Sequence, residues 1–202
     1  MARDIAIVAE DRLTQAVLQK CVQHALPRFR VVRSEVKHGR GNVQRELAAY
    51  SKLSQIMPVL VGVDLDGDEC APSLLANWLA NAPLPGLLVR VAVREVESWV
   101  LADRRRTSAF LGAVPDDITK SPDDLGDPKR ALLDLARARA SAELKRDLIP
   151  RNFAQYPRIG PAYNLQMCKF VEDRWRPHVA QRRSDSLARA IRAMASIDPD
   201  AA

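Results

Sequence analysis

The chain has 202 residues, 47% of them apolar and 28% charged, which is enough for one domain with a real core. Its net charge of +6 and pI near 9.5 suit nucleic acid or another polyanion without requiring one. Cys21, Cys70 and Cys168 are odd in number and widely spaced, which argues against a disulfide framework or a paired-cysteine metal site. With no run of membrane-spanning length and no secretory pattern at the start, a cytoplasmic protein with no membrane contact is expected.

In chain order, Ile5–Ala9 reads as a short buried strand ending in Glu10 and Asp11. Leu13, Val17, Leu18, Cys21, Val22 and Leu26 then recur at helical spacing until Pro27. Phe29–Val36 reads as a second strand, and Val43–Ile56 as a helix with Leu47, Tyr50 and Leu53 on one face. Val59–Val63 is a third strand, apolar or glycine throughout, as expected of one buried on both faces of a parallel sheet. Pro72 opens a third helix bearing Leu74, Leu75, Trp78 and Leu79, and Leu87–Val93 is a fourth strand. Beyond it, helical periodicity runs through Leu101 and again at Phe110, followed by a polar loop over 116–129. Three helices are expected near 130–142, 165–180 and 186–195, with an irregular Pro150–Asn164 stretch between the first two. The alternation predicts an α/β fold: a parallel-type sheet of about four strands flanked by helices, carrying a C-terminal helical layer. Residues 1–110 make the α/β part and 111–197 the helical extension, together one compact unit.

Acids fall where the strands end. Glu10 follows the first strand, Asp64, Asp66 and Asp68 follow the third, and Glu95 and Glu97 follow the fourth. Ligands of open α/β sheets sit outside the carboxyl ends of the strands, and gathered carboxylates call for a cation or for protons. If the first and third strands are neighbours, Glu10 and Asp64 meet across one cleft. In extended chain, residues two apart share a side, so Asp64 and Asp66 can act together. Hard oxygen donors of this kind suit Mg2+ or Mn2+ rather than zinc. Glu95 and Glu97 both qualify only if the chain stays extended there. Glu95 is nearer the strand, and Glu97 reads as a structural partner for an arginine. Lys129, after Asp127-Pro128, is suited to steady a phosphate, or else is a solvated loop lysine.

The pieces DIAIVAED, VDLDGDECAP and VAVREVESWVLADR, with Asp127-Pro-Lys129, Gly160-Pro-Ala-Tyr-Asn164 and Ser184-Asp-Ser-Leu187, resemble a Toprim-like bacterial family of uncharacterised function. That family is related to the Toprim domain of OLD-type nucleases and is often encoded beside an ABC-type ATPase. The resemblance implies a Mg-dependent nuclease acting on DNA or RNA, with an ATPase partner and a role in defence against phage. It also implies that Glu10 is a metal ligand or proton-transfer group, and that Asp64 and Asp66 hold the metal, with Asp68 and Glu95 as further candidates. Many Toprim domains place Gly after the strand-one glutamate. Asp11 stands there in this chain, as a second acid or as a helix cap.

Asp64-Leu-Asp-Gly67 mimics the nucleophile motif of haloacid-dehalogenase phosphatases, but that motif belongs on a first strand. An EF-hand reading fails because Leu75 stands where the closing Glu is needed. Arg151, Tyr156, Arg158 and Tyr163 combine charge with stackable rings, either for single-stranded nucleic acid or as a loop pinned by aromatics. Arg182, Arg183, Arg189 and Arg192 offer a basic helical face whose default is a solvated surface. A non-catalytic docking subunit of the ATPase is the alternative function, and self-association is left open.

Overall fold

The structure, a computed structural model, describes residues 3–79, 86–150 and 159–197. Four strands, β1 (Arg3–Ala9), β2 (Phe29–Val36), β3 (Val59–Asp64) and β4 (Leu87–Ala92), form one parallel sheet in the order β2-β1-β3-β4. The chain moves outward from β1 to β2, then jumps back across β1 to lay down β3 and β4. The order therefore reverses between β1 and β3, which is where open α/β sheets leave a crevice.

Residue parity divides the sheet into two faces. Ile5, Ile7 and Ala9 of β1 and Leu60 of β3 pack against α1 (Arg12–Ala25) and α5 (Val96–Ala102). The same core takes in α7 (Pro128–Arg139), α9 (Tyr163–Asp173) and α11 (Asp185–Ala195) through Leu132, Met167 and Leu187. Ala6, Val8, Val59, Val61 and Val63 pack on the other face against α2 (Arg40–Arg45), α3 (Leu47–Leu53) and α4 (Ala71–Trp78). Every residue of β3 is buried, while β2 is an edge with arginines facing solvent. One core thus joins the strands to the C-terminal helices.

Gly62 lets α1 lie close on β3. A Cβ there would meet Leu18 Cδ1 at 2.6 Å and Thr14 Cγ2 at 3.0 Å.

Several elements differ from the sequence expectation for local reasons. The helix expected over Val43–Ile56 starts earlier and breaks at Glu46 into α2 and α3. α6 (Arg104–Phe110) is a separate helix, with Asp103 accepting from the Arg106 N–H. The polar loop contains two single 3-10 turns, Pro115–Asp117 and Pro122–Asp124, and gives way to α7 at Pro128, ahead of the expected start. α8 (Ala142–Leu148) follows, capped by Ser141. The long helix expected near 165–180 stops at Asp173 and resumes as α10 (Pro177–Ala180), because Pro177 cannot continue the preceding turn. Arg151, Tyr156 and Arg158 lie outside the described residues. No helix among the described residues is long and apolar enough to cross a membrane.

Candidate active site

Both strands that flank the reversal end in acids. β1 finishes at Ala9, and the Glu10 N–H donates to the Gly62 carbonyl at 3.1 Å, which keeps the two strand ends in step. The Asp64 N–H in turn donates to Glu10 Oε2 at 3.2 Å. Two acids 54 positions apart are thereby joined by one bond, from the main chain of Asp64 to the carboxylate of Glu10.

Asp64 has the parity of Leu60 and Gly62 and is 5% exposed. Its Oδ1 accepts from the Val96 N–H at 2.9 Å, at the first turn of α5. Glu95 is the residue before that helix, and its Oε2 accepts from the Lys129 N–H at 2.8 Å. Lys129 sits in the first turn of α7 because Asp127 caps that helix, accepting from the Arg130 N–H at 2.8 Å. The lysine ammonium lies 3.4 Å from Glu95 Oε1 and 3.5 Å from Glu97 Oε1. Glu97, fully buried, also accepts from the Tyr163 hydroxyl at 2.8 Å. Its other oxygen, Oε2, is buried without a hydrogen-bond partner among the described residues.

A second group of charges stands on the turn after β3. Asp66 adopts φ 51°, so the extended alternation ends at Asp64, and Asp66 is exposed rather than stacked beside it. Arg40 Nη1 bonds Asp68 Oδ2, donates to the Leu65 carbonyl at 3.0 Å, and lies 4.0 Å from Asp66 Oδ2. Arg94 braces the same turn from β4's end, donating to the carbonyls of Asp66 at 3.2 Å and Asp68 at 2.6 Å.

The electrostatics follow from burial and crowding. Burial raises the Glu10 pKa, the Asp64 N–H opposes that, and Asp66 and Asp11 repel it further upward. Asp64 is pushed well above the usual carboxylate range by burial first, then by Glu97, Asp11 and Glu10, against the pull of Lys129. Glu97 rises to about 7 through burial, with Lys129 and the Tyr163 bond lowering it and Glu95 raising it. Burial works against the Lys129 charge, but Glu97, Glu95 and Asp64 outweigh it and raise its pKa. Asp11 fills both roles open to it: it caps α1, accepting from the Thr14 N–H at 2.8 Å, and its charge acts on Glu10, Asp64 and Glu97.

Compared with family models, curated proteins and solved structures, the chain matches none.

Carboxylate oxygens are hard donors, of the type that suits Mg2+ or Mn2+ in general. The acids here include one buried and unpartnered oxygen on Glu97, with mutual repulsion that a cation relieves. They are not drawn into a finished cage. Among the described residues, no three His, Cys, Asp or Glu side chains stand together so as to hold a metal ion. Asp68 is turned to Arg40, Glu95 to Lys129, and one oxygen each of Asp64 and Glu10 accepts a main-chain N–H.

Of the residues singled out in the sequence, Glu10 and Asp64 meet directly, and Glu95 and Lys129 are bonded to each other. Asp66 and Asp68 occupy the adjoining turn. Glu97 takes its bonds from Tyr163 and Lys129 rather than from an arginine, and it is the more deeply placed of the two glutamates. Tyr163 is a buried hydrogen-bond donor to this acid. The available signal was an acid inside the otherwise uncharged stretch Val96–Ala102, every residue of which is buried.

Proposed function

We propose that the chain is a Mg2+- or Mn2+-dependent nuclease of Toprim type, hydrolysing phosphodiester bonds in DNA or RNA. The observation that carries this reading is the pair Glu10 and Asp64, joined at the point where the strand order reverses and backed by Glu97 and Lys129. Glu10, Asp64 and Asp66 would hold the cation, with Asp68 and Glu95 able to join once released from their cationic partners. Such an ion, when bound, activates water and neutralises charge building on the phosphate.

The remaining roles belong to side chains. Lys129 is oriented by two acids and meets a non-bridging phosphate oxygen as a fixed positive charge. Glu97, raised to about 7 by burial, can take up and return a proton near neutral pH, and burial shifts Glu10 in the same direction. The net charge of +6 favours approach of a polyanion. An ATPase partner and a defence role rest on the motif resemblance alone.

One observation favours the non-catalytic alternative, a docking subunit of an ABC-type ATPase: Arg40 and Lys129 already engage the acids that a cation would need. The experiment is cleavage of plasmid, single-stranded DNA and total RNA with either metal, with and without a genomically adjacent ATPase. Wild type is compared with Glu10→Ala and with Asp64→Ala/Asp66→Ala. Metal-dependent cutting lost in both variants supports the nuclease. Cutting that survives both changes sinks it, and silence throughout with an intact ATPase complex favours docking.

A further inference from the structure

A cavity of about 410 Å³ lies between the last turns of α1, the first turn of α6 and the bend joining α9 to α10. Asp11 at the head of α1 belongs to the acid cluster, and His24 near its other end lines this cavity. Thirteen residues of helical rise separate them, about 20 Å. The two places are distinct.

Its wall is cationic. Lys20, Arg106, Arg174 and Arg176 line it, with the imidazoles of His24 and His178 at 5.8 Å between ring centres. Arg176 is spoken for: its guanidinium grips the fully buried Asp103, with Nη2 to Oδ1 at 2.8 Å and Nε to Oδ2 at 2.9 Å. Among the described residues, Lys20 reaches a main-chain oxygen, that of Glu172, at 2.6 Å and no carboxylate. Arg106 and Arg174 have no carboxylate partner among the described residues. Among the described residues that line it, the one acid is the exposed Asp173. Setting Arg176 against Asp103, and one of the other three cations against Asp173, leaves two uncompensated positive charges. A second hollow of about 370 Å³ shares Arg106 and Arg176 and adds Arg105.

A space at the small end of ligand pockets, with charged rather than apolar walls, fits a compact anion instead of a hydrophobic ligand. Arginine forks match phosphate geometry with paired hydrogen bonds. The surplus of two positive charges is opposite in sign and about equal in size to the charge of a phosphomonoester dianion.

We propose that this cavity is a binding site for a phosphomonoester dianion, borne by a small phosphate compound or by the phosphorylated end of a nucleic-acid strand. It stands independently of the acids at the strand ends. The imidazole pair adds a pH response. The charged groups that face the imidazoles are Lys20, Arg106, Arg174, Arg176 and Asp173, and histidine is the side-chain type that ordinarily changes charge near neutrality. Burial and His178 hold the His24 pKa below its ordinary value, and an anion in the cavity raises it again.

The test is calorimetric titration of the full chain with inorganic phosphate, adenosine 5′-monophosphate, and a short oligothymidylate with and without a 5′-phosphate. Arg106→Gln/Arg174→Gln is expected to weaken binding at least about tenfold, whereas Arg189→Gln, an exposed arginine paired with Asp185 on α11, leaves it unchanged. Sulfate, doubly charged across the range, binds more tightly near about pH 6 than near about pH 8, and His24→Gln/His178→Gln flattens that difference. Equal binding of free phosphate, nucleotide and phosphorylated strand assigns a small ligand, and preference for the phosphorylated strand assigns a strand end. The proposal is overturned if no phosphate probe binds, if the double arginine variant binds as wild type does, or if the unphosphorylated strand binds as tightly as the phosphorylated one.

Discussion

Glu97→Gln removes a buried ionisable group while keeping an oxygen that can accept from Tyr163. In the folded protein Glu97 titrates near 7, against an ordinary value of 4.5. Between those two pH values the folded chain keeps a proton that the unfolded chain has released, so stability falls as pH rises through that window. Each unit corresponds to about 1.4 kcal/mol, so the window of about 2.5 units costs wild type about 3 kcal/mol by pH 8. Lys129 does not obscure this. A lysine with a raised pKa contributes stability that is lost only above its ordinary value of 10.5.

Urea unfolding followed through the buried Trp99 and Trp175 at intervals from about pH 4.5 to about pH 8 measures the difference. The Gln variant should gain on wild type steadily across the window, by about 3 kcal/mol at its upper end. Two curves running parallel over that range would refute the claim that Glu97 is held protonated by its surroundings.

Lys129→Met should destabilise the chain by about 2–3 kcal/mol at about pH 8. That is less than a fully buried pair would cost, since the lysine side chain keeps 28% exposure. The loss should shrink near about pH 5, where protonated Glu97 no longer needs the cation; thermal melts at both pH values check this. Gly62→Ala crowds the Leu18 and Thr14 side chains of α1 and should cost about 1–3 kcal/mol, at about 2–4 °C in Tm for each kcal/mol. Gly67→Ala, which meets nothing within 4 Å, should melt with wild type, and an equal fall in both variants would contradict the close approach at β3.

The fold was legible where physics leaves a local trace. Ile5–Ala9 and Val59–Val63 are unbroken apolar runs because both faces of β1 and β3 are covered, and the acids next to them mark sharp strand ends. Helix boundaries were less legible: the break at Glu46 between α2 and α3 has no glycine or proline beside it to mark it. Glu95 and Glu97 could not be separated by spacing. Which one turns inward depends on whether the chain is extended or helical at Val96, and on a lysine more than thirty positions away. The motif pieces around residues 127, 160 and 184 turn out to support structure. Asp127 caps the helix that carries Lys129, and Gly160 passes so near the Asp147 carbonyl that a Cβ would sit 2.3 Å from it. Ser184 caps α11, accepting from the Leu187 N–H at 3.1 Å.

The shared core has a consequence for the order of synthesis. Glu10, Asp64 and Glu97 leave the ribosome first, whereas the lysine and the tyrosine hydroxyl that engage Glu97 arrive with residues 129 and 163. A nascent chain halted at residue 110 carries the acids without those partners, and carries Ile5, Leu13 and Val17 without the helices that cover them. Charge balance and water exclusion at the strand ends are therefore reached together, late in translation, and a prematurely terminated product lacks both.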